Sequence, residues 1–480
     1  MLPLTKIIAT IGPSCHEEKE IKSLILKGVN IFRFNLRHND LDWHKKKIEL
    51  IKKISKDLEM PIGILIDLEG GELRTGKFEE ASLGLQKGET VIFSKMDEKI
   101  QKSSYKTIPF PKIEEFFSLE VGQKILIDDG AFEFQIKRFE GEKIFADVLE
   151  GGLLGERKTI NVPGHRFKSL ADPKNDLPAL KLCSYYKADF LAISFVKESG
   201  DVKAYKKYFK DKIFSPWIIS KIETREAIEN FDEILEESNG IMVARGDLGT
   251  ELPFEEVPFY QKEIIKKALV AERPVITATH MLESMVENPK PTRAEASDVA
   301  NALYDLSDCV MLSKETASGK YPALAVSAMR QVSNYIEKQK PEKQKLYYET
   351  KTQTDAICRS AHNLYKSEFC QKEKIAAFVA LTRTGKTAVA LSRLRPYLPI
   401  FAITEDESMV TKLTMLFGVH PFCLNLKGIY KKKKVSHIKE VLLFLKKRTF
   451  LKKGDKVIFV YGEDWGTSGK TSVMRIQEVV

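Results

Sequence analysis

Several features common in membrane and secreted proteins are missing from this chain of 480 residues. No apolar run approaches the roughly 18–20 residues that a membrane-spanning helix requires. The first ten residues lack the charged, apolar and small-residue succession of a signal peptide. The six cysteines are too scattered for a disulfide framework or a Cys-x-x-Cys metal site: Cys15, Cys183, Cys309, Cys358, Cys370 and Cys423. We therefore predict a cytoplasmic protein without a membrane partner, whose cysteines are buried as small hydrophobic side chains.

The chain has fewer acidic than basic residues. It contains 67 Asp and Glu residues and 77 Lys and Arg residues, which gives a net charge of +10. A basic surface attracts anions, and nucleic acid has to be considered. The excess consists mostly of scattered lysines, and neither a nucleic-acid-binding fold signature nor an aromatic-interleaved basic stripe accompanies it. We expect no nucleic-acid partner and interpret the excess as solvated surface lysine, which also suits small phosphorylated substrates.

Short apolar runs recur along the chain, each followed by a polar residue or glycine and then by a segment with helical periodicity. Near-continuous rather than alternating apolar runs are typical of strands that are buried on both faces of a parallel sheet. Eight such runs lie at 6–11, 30–35, 62–67, 190–195, 217–221, 240–244, 274–278 and 309–313. Eight β/α units predict an α/β fold of the TIM (β/α)8 barrel type, whose active site forms at the carboxyl ends of the strands.

One interval breaks this rhythm, because about 120 residues separate the third run from the fourth. A loop between a strand and its helix ordinarily has only roughly 2–6 residues. The interval contains glycine-punctuated strand-like pieces at 89–94, 124–127, 132–136 and 143–148. We predict an inserted all-β domain after the third strand, a β-barrel lid over 71–167. The TIM-barrel domain would then occupy 1–70 and 168–338.

A second α/β unit is predicted after a Lys- and Glu-rich linker at 337–345. Helical and strand patterns alternate in it, with helices at 354–366, 386–394, 406–416 and 436–447 and strands at 374–381, 399–404 and 456–461. This alternation predicts a C-terminal α/β domain with an open sheet, over 339–480.

Polar side chains follow the predicted barrel strands, where a barrel has its active site. They are Arg33, Asn35, Asp67, Lys221, Glu223, Arg245, Asp247, Thr279, Ser313 and Glu315. A salt bridge at the barrel mouth is the better explanation for each residue taken alone. The whole set at successive strand ends indicates an active site.

The residue types in this set suit phosphoryl transfer. Glu223 and Asp247, on successive strands, can hold a hard divalent cation together with substrate oxygens, as Mg²⁺ is usually bound. Lys221 and Arg33 supply fixed positive charge for a transferring phosphoryl group. Gly246 lets backbone N–H groups approach an anion.

Longer segments of the chain resemble those of pyruvate kinases. The chain opens with Thr-Lys-Ile-Ile-Ala-Thr-Ile-Gly-Pro at 5–13, and Ile-Ile-Ser-Lys-Ile-Glu at 218–223 matches the catalytic-lysine strand of that family. Further matching segments lie at 240–249, 274–279 and 291–301. The similarity extends from the first predicted strand to the last and is strongest over 215–325.

The resemblance implies phosphoryl transfer from phosphoenolpyruvate to ADP, giving pyruvate and ATP, with Mg²⁺ or Mn²⁺ as cofactor. By position, Lys221 stabilises the transferring phosphoryl group and Arg33 contacts the substrate phosphate. Glu223 and Asp247 ligate the divalent ion. The resemblance also implies a homotetramer.

Further roles follow from the same resemblance. Gly246 and Thr279, with Asp247, seat the carboxylate of phosphoenolpyruvate, and Thr279 lies near the enolate that is protonated. Asn35 and Asp67 belong to a K⁺ site. Together with Asn35, the residues expected to face the nucleotide are His38 and Arg74.

The chain departs from the family pattern at the K⁺ and nucleotide loops. Arg37 stands where pyruvate kinases usually have a serine that ligates K⁺. Glu72 is typical of K⁺-dependent members, whereas Leu68 is typical of K⁺-independent ones. Either the Arg37 guanidinium supplies the positive charge and makes K⁺ unnecessary, or Arg37 turns to solvent and the site is weakened. Lys314, in place of a glycine, leaves the nucleotide preference open.

The segment at 381–388 follows a predicted strand and opens a helix, so its hydroxyl and backbone N–H groups are able to bind a phosphate. It resembles the effector loop of pyruvate kinases, where sugar phosphates act. A polar turn that binds nothing is the alternative. The candidate effector residues are Thr382, Thr384, Gly385, Lys386 and Thr387.

Three functions fit the sequence. The first is an active pyruvate kinase of glycolysis, indicated by the intact Lys221, Glu223, Asp247 and Thr279. The second is a non-catalytic or regulatory paralogue that binds phosphorylated ligands, suggested by the altered loops. The third is another metal-dependent barrel enzyme, such as an aldol-type lyase acting on 2-oxo acids, which would not need the inserted domain.

Overall fold

The computed structural model describes residues 2–70, 74–78, 82–95, 104–110, 118–128, 130–163, 171–340, 349–425, 435–462 and 470–480. Within these ranges, eight parallel strands close into one barrel, which confirms the predicted (β/α)8 architecture. From first to eighth, the barrel strands are Lys6–Thr10, Val29–Asn35, Gly63–Asp67, Phe190–Ile193, Trp217–Ile222, Gly240–Ala244, Val275–Ala278 and Cys309–Leu312.

The barrel strands are buried on both faces over most of their length, which explains their near-continuous apolar sequences. All residues of the first, third and sixth strands are buried. One face contributes side chains such as Leu65, Ile219 and Ile276 to the barrel interior, and the other face packs against the surrounding helices. Because burying one such side chain contributes about 1.5–3 kcal/mol, an alternating polar pattern would not hold these strands in place.

Helices surround the barrel. In the second of them, Leu41–Asp57, Asp40 caps the first turn by accepting a hydrogen bond from the Trp43 N–H, and Ile48 and Ile51 are buried against the barrel. The helices of this domain are Glu18–Leu26, Leu41–Asp57, Leu177–Tyr186, Ser199–Phe209, Arg225–Glu229, Phe231–Glu237, Arg245–Glu251, Val257–Val270, Arg293–Tyr304, Lys314–Ala317 and Pro322–Gln339, with a 3₁₀ turn at Glu283–Val286. None of the described helices has the length and apolar character needed to cross a bilayer.

The elements that lie wholly within the described residues of the insert after the third barrel strand are all β-strands, as predicted. Its described strands form a six-stranded sheet and a two-stranded sheet rather than the single closed β-barrel expected for 71–167. Gly152, which begins the next strand two residues after Glu150, has a φ of 150°, so the chain leaves the larger sheet at this point. The strands are Ser82–Leu85, Thr90–Lys95, Thr107–Phe110, Lys124–Ile127, Phe132–Glu140, Lys143–Glu150, Gly152–Gly155 and Ile160–Asn161.

The C-terminal domain has an open five-stranded sheet, as predicted. Across the sheet the strands are Val419–Cys423, Ile400–Thr404, Ile375–Leu381, Lys456–Tyr461 and Val473–Glu478, and the last pair runs antiparallel. The helices are Gln353–Lys366, Glu368–Lys372, Lys386–Arg393, Glu407–Lys412 and Val435–Lys447, with a 3₁₀ turn at Leu413–Met415. The sequence does not predict the two edge strands, because their polar residues and Pro421 interrupt any apolar run.

The C-terminal domain closes the floor of the barrel, at the end opposite the predicted active site. Met415 packs among the apolar residues inside the barrel. The Arg395 guanidinium donates to both carboxylate oxygens of Asp308, at 2.9 and 2.6 Å, and both side chains are buried. The predicted domain boundaries at 71 and 168 and most of the predicted linker lie outside the described residues.

Candidate active site

Two predicted cationic residues, Arg33 and Lys221, contact the predicted Asp67 at the mouth of the barrel. Arg33 lies on the second strand, Asp67 ends the third, and Lys221 lies on the fifth. Arg33 Nε donates to Asp67 Oδ2 at 2.5 Å, and Lys221 Nζ lies 3.3 Å from Asp67 Oδ1. The two cations outweigh the burial that would raise the pKa of Asp67, and that pKa lies below its usual value. Asp67 is therefore ionised, and its two carboxylate oxygens orient the side chains of Arg33 and Lys221.

Lys221 is buried and held by three partners. Its Nζ lies 2.8 Å from Glu223 Oε1 and donates to Ser194 Oγ at 2.8 Å, in addition to facing Asp67. Burial acts to lower the pKa of Lys221, but Asp67 and Glu223 outweigh it, and the pKa is raised above its ordinary value. The side chain therefore carries a permanent positive charge in a fixed position. Sequence reasoning missed Ser194, because a serine at a strand end has no local signal.

Glu223 is fully buried, and its Oε2 accepts a hydrogen bond from the Phe195 N–H at 2.6 Å. Burial first, and then the negative charge of Asp247, raise the pKa of Glu223 to about 7, against the opposing effect of Lys221. A cation between the two carboxylates would relieve their repulsion. In the part of the chain that the structure describes, no three His, Cys, Asp or Glu side chains form a metal cluster. Two carboxylates nevertheless fit Mg²⁺, which keeps waters and substrate oxygens as its other ligands.

Asp247, Gly246 and Thr279 come together where the sixth and seventh strands end. Asp247 lies in the first turn of the helix Arg245–Glu251, and the Gly246 N–H donates to Thr279 Oγ1 at 2.8 Å. Thr279 has a φ of 64°, a conformation that a β-branched residue rarely adopts. Such strain is of the order of 1–3 kcal/mol and is typical of functional sites.

Arg245 holds this strained segment, a function that sequence reasoning did not assign. Its guanidinium donates to the carbonyl of Ala278 at 3.3 Å and to that of Thr279 at 2.6 Å. It also donates to Asp298 Oδ1 at 2.7 Å, on a neighbouring helix. The sequence signal is weak, because an arginine directly after a strand has many possible partners.

Of the predicted nucleotide residues, Asn35 ends the second strand and His38 follows it, whereas Arg74 follows the third strand. Asn35 Oδ1 accepts a hydrogen bond from the Arg37 N–H at 3.2 Å. Burial, followed by the charges of Arg37, Arg33 and Arg74, lowers the pKa of His38. Arg74 donates to the Arg157 carbonyl of the insert at 2.7 Å.

Glu315 of the predicted set and the neighbouring Lys314 follow the eighth strand and differ in exposure. Glu315 is fully buried and accepts hydrogen bonds from the N–H groups of Leu282 and Ser313, at 3.1 and 2.7 Å. Lys314 is exposed, with its Nζ 3.6 Å from Glu283 Oε1. Glu72 lies outside the described residues.

The candidate effector loop is only partly open to solvent. Thr382 and Thr387 are buried, and Thr387 Oγ1 lies 2.8 Å from the Thr471 hydroxyl. Gly385, with a φ of 81°, precedes the helix Lys386–Arg393. The exposed members are Thr384 and Lys386.

Comparison with known proteins gives matches along nearly the whole chain. Residues 2–326 match the family described as "Pyruvate kinase, barrel domain", and residues 355–477 match "Pyruvate kinase, alpha/beta domain". A pyruvate kinase of Clostridium acetobutylicum is 36% identical over 484 residues, covering 99% of both chains. One of Staphylococcus aureus is 35% identical over 477 residues, covering 99% of this chain and 80% of that protein.

The barrel, the α/β domain and these matches define a phosphotransferase enzyme. More specifically, the chain belongs to the pyruvate kinase family.

Proposed function

We propose that the protein transfers the phosphoryl group of phosphoenolpyruvate to ADP, giving pyruvate and ATP, with Mg²⁺ or Mn²⁺ held by Glu223 and Asp247. The observation that carries this proposal is the buried Lys221 ammonium, fixed between Asp67 and Glu223 at the barrel mouth. A fixed cation at this depth stabilises the negative charge that develops on the transferring phosphoryl group much more strongly than a cation in water does.

In this mechanism, Lys221 and Arg33 stabilise the negative charge on the phosphoryl group as it leaves the enolate oxygen and bonds to the terminal oxygen of ADP. Both side chains are oriented by Asp67, so little reorganisation accompanies the transfer. The divalent cation, when bound, supplies further positive charge to the phosphoryl oxygens.

The enolate that remains takes up a proton at its terminal carbon to give pyruvate. The Thr279 hydroxyl is our candidate for positioning that step, because it is fixed by the Gly246 N–H and the Ala278 carbonyl. Gly246 and Asp247 seat the carboxylate of the substrate beside it. Asn35, His38 and Arg74 face the nucleotide.

The glycolytic role, cytoplasmic location and homotetramer belong to the same proposal and rest on the family resemblance. The effector role of the exposed Thr384 and Lys386 stays a prediction. The non-catalytic alternative is not favoured, because the relatives matched over 99% of the chain are named pyruvate kinase and the catalytic set is intact.

The test is pyruvate formation from phosphoenolpyruvate, ADP and Mg²⁺ by the whole chain and by Lys221→Met. We expect turnover by the parent protein and a loss of at least about 100-fold in kcat in the variant, since a preorganised charge is removed. Lys203→Met, which removes an exposed lysine 3.9 Å from Glu237, is the matched control and should keep full activity. Absence of turnover by the parent protein with any nucleoside diphosphate would contradict the proposal.

A further inference from the structure

The monovalent-cation site implied by the family resemblance is built here from residues that do not fit a monovalent cation. Asp67 directs both carboxylate oxygens at protein cations, Oδ2 at Arg33 and Oδ1 at Lys221. Asn35 Oδ1 accepts a hydrogen bond from the backbone N–H of Arg37. The oxygens that would ligate a K⁺ ion thus already face hydrogen-bond donors or cations.

Arg37 does not turn away from the site. Its side chain is half-buried, and its Nε donates to the Glu69 carbonyl at 3.3 Å, in the loop that follows Asp67. This geometry contradicts a side chain directed into bulk solvent.

A K⁺ ion in this position would also meet repulsion. Two unit positive charges about 4 Å apart repel by about 4 kcal/mol at an effective dielectric constant of about 20. Arg33 and Lys221 already pair with the two oxygens of Asp67, and Arg37 adds a third positive charge beside the loop that follows it. An additional monovalent cation therefore has little to stabilise it.

We propose that the Arg37 guanidinium is the monovalent cation of this active site, so that phosphoryl transfer by this protein does not require K⁺. The inference rests on the proposed phosphoryl transfer and assigns Arg37 a positioning role in it. A guanidinium is permanently charged and presents a planar set of donors that matches phosphate oxygens. It therefore supplies the charge of the ion together with fixed geometry.

The activity test compares the parent protein with Arg37→Ser and Arg37→Lys in potassium and in tetramethylammonium buffers of equal ionic strength. We expect the parent kcat to differ by less than about twofold between the salts, and Arg37→Ser to lose at least about tenfold without K⁺, or about 1.4 kcal/mol. Added K⁺ should restore Arg37→Ser, because serine leaves space and a hydroxyl ligand. Arg37→Lys should stay independent of K⁺.

Arg225→Ser is the matched control, since Arg225 is an exposed side chain paired with Glu256 and should respond to neither salt. Thermal unfolding supplies a readout that does not depend on activity. K⁺, compared with tetramethylammonium, should raise the Tm of Arg37→Ser and leave that of the parent protein unchanged, because only a ligand of the folded state stabilises it.

A parent kcat that rises tenfold with K⁺, or an Arg37→Ser variant that matches the parent protein in both salts, would overturn the inference. Absence of pyruvate formation by every variant in both salts would instead count against the proposed phosphoryl transfer. In that case the Tm values decide the role of Arg37. A Tm of the parent protein that rises with K⁺ would overturn that role, whereas a Tm that rises with K⁺ only in Arg37→Ser would support it.

Discussion

Thr279 has a strained backbone conformation that its neighbours in the site must stabilise. Its positive φ places its hydroxyl against the Gly246 N–H, and Arg245 opposes the strain by donating to the carbonyls of the two peptide groups that flank the Thr279 Cα. The geometry of the proposed carboxylate seat thus depends on an arginine that contacts the chain and not the substrate.

Arg245→Lys tests this dependence, because lysine keeps the charge but offers one nitrogen in place of the three that reach Ala278, Thr279 and Asp298. We expect kcat/KM for phosphoenolpyruvate to fall by roughly 10–100-fold, about 1.4–2.7 kcal/mol, through misplacement of Thr279. Steady-state kinetics measures the effect, with the exposed Arg225→Lys as control. Unchanged kinetics would show that Thr279 holds its conformation without Arg245.

At the scale of elements, the first barrel strand carries a charge into the floor of the barrel. Lys6 is buried, and its Nζ donates to the Val419 carbonyl of the C-terminal sheet at 2.7 Å. Burial, aided by the charge of Arg330, lowers the pKa of Lys6 to about 7. The folded protein therefore binds this proton less tightly than the unfolded chain does.

The sign of the resulting pH dependence follows from linkage. Between about pH 7 and 10 the unfolded chain keeps the Lys6 proton and the folded protein does not, so stability rises by up to about 1.4 kcal/mol per pH unit. We expect Lys6→Met to remove this rise, which chemical denaturation at a series of pH values would measure. Lys19→Met, on an exposed helix position, is the control. Parallel curves for the parent protein and Lys6→Met would contradict the assignment.

The elements also show how far sequence reasoning extends. Strands buried on both faces were predictable, because each is a near-continuous apolar run, and the ends of those runs located Lys221, Glu223 and Asp67. The edge strand Val473–Glu478 was not predictable, since one side of it faces solvent. Ser194 and Arg245 depend on partners far away in the chain, so no local pattern indicates their contacts.

At the scale of the whole molecule, arginines of the C-terminal domain, among them Arg395 and Arg448, pair with carboxylates of the barrel domain in different surroundings. The Arg395–Asp308 pair is buried, whereas Arg448 meets Glu59 at 2.7 Å on the surface. Exposed pairs contribute about 0–1 kcal/mol, while breaking a buried pair costs about 3–5 kcal/mol because a desolvated charge remains.

We therefore expect Arg395→Met to destabilise the protein by several kilocalories per mole, and Arg448→Met to have little effect. Equilibrium unfolding in urea compares the two variants directly. Because the buried pair joins the domains, Arg395→Met should also separate the unfolding of the barrel from that of the C-terminal domain. Equal stability of the two variants would mean that apolar contacts such as those of Met415 dominate the interface.

The position of Met415 inside the barrel floor has a consequence for biosynthesis. All eight barrel strands have left the ribosome long before the segment that plugs them, because the eighth strand ends at Leu312. For about a hundred residues of synthesis, the nascent barrel exposes an apolar opening. Chaperone capture during translation should therefore fall once residues beyond 415 emerge, and a chain stopped at Gln339 should remain a chaperone substrate.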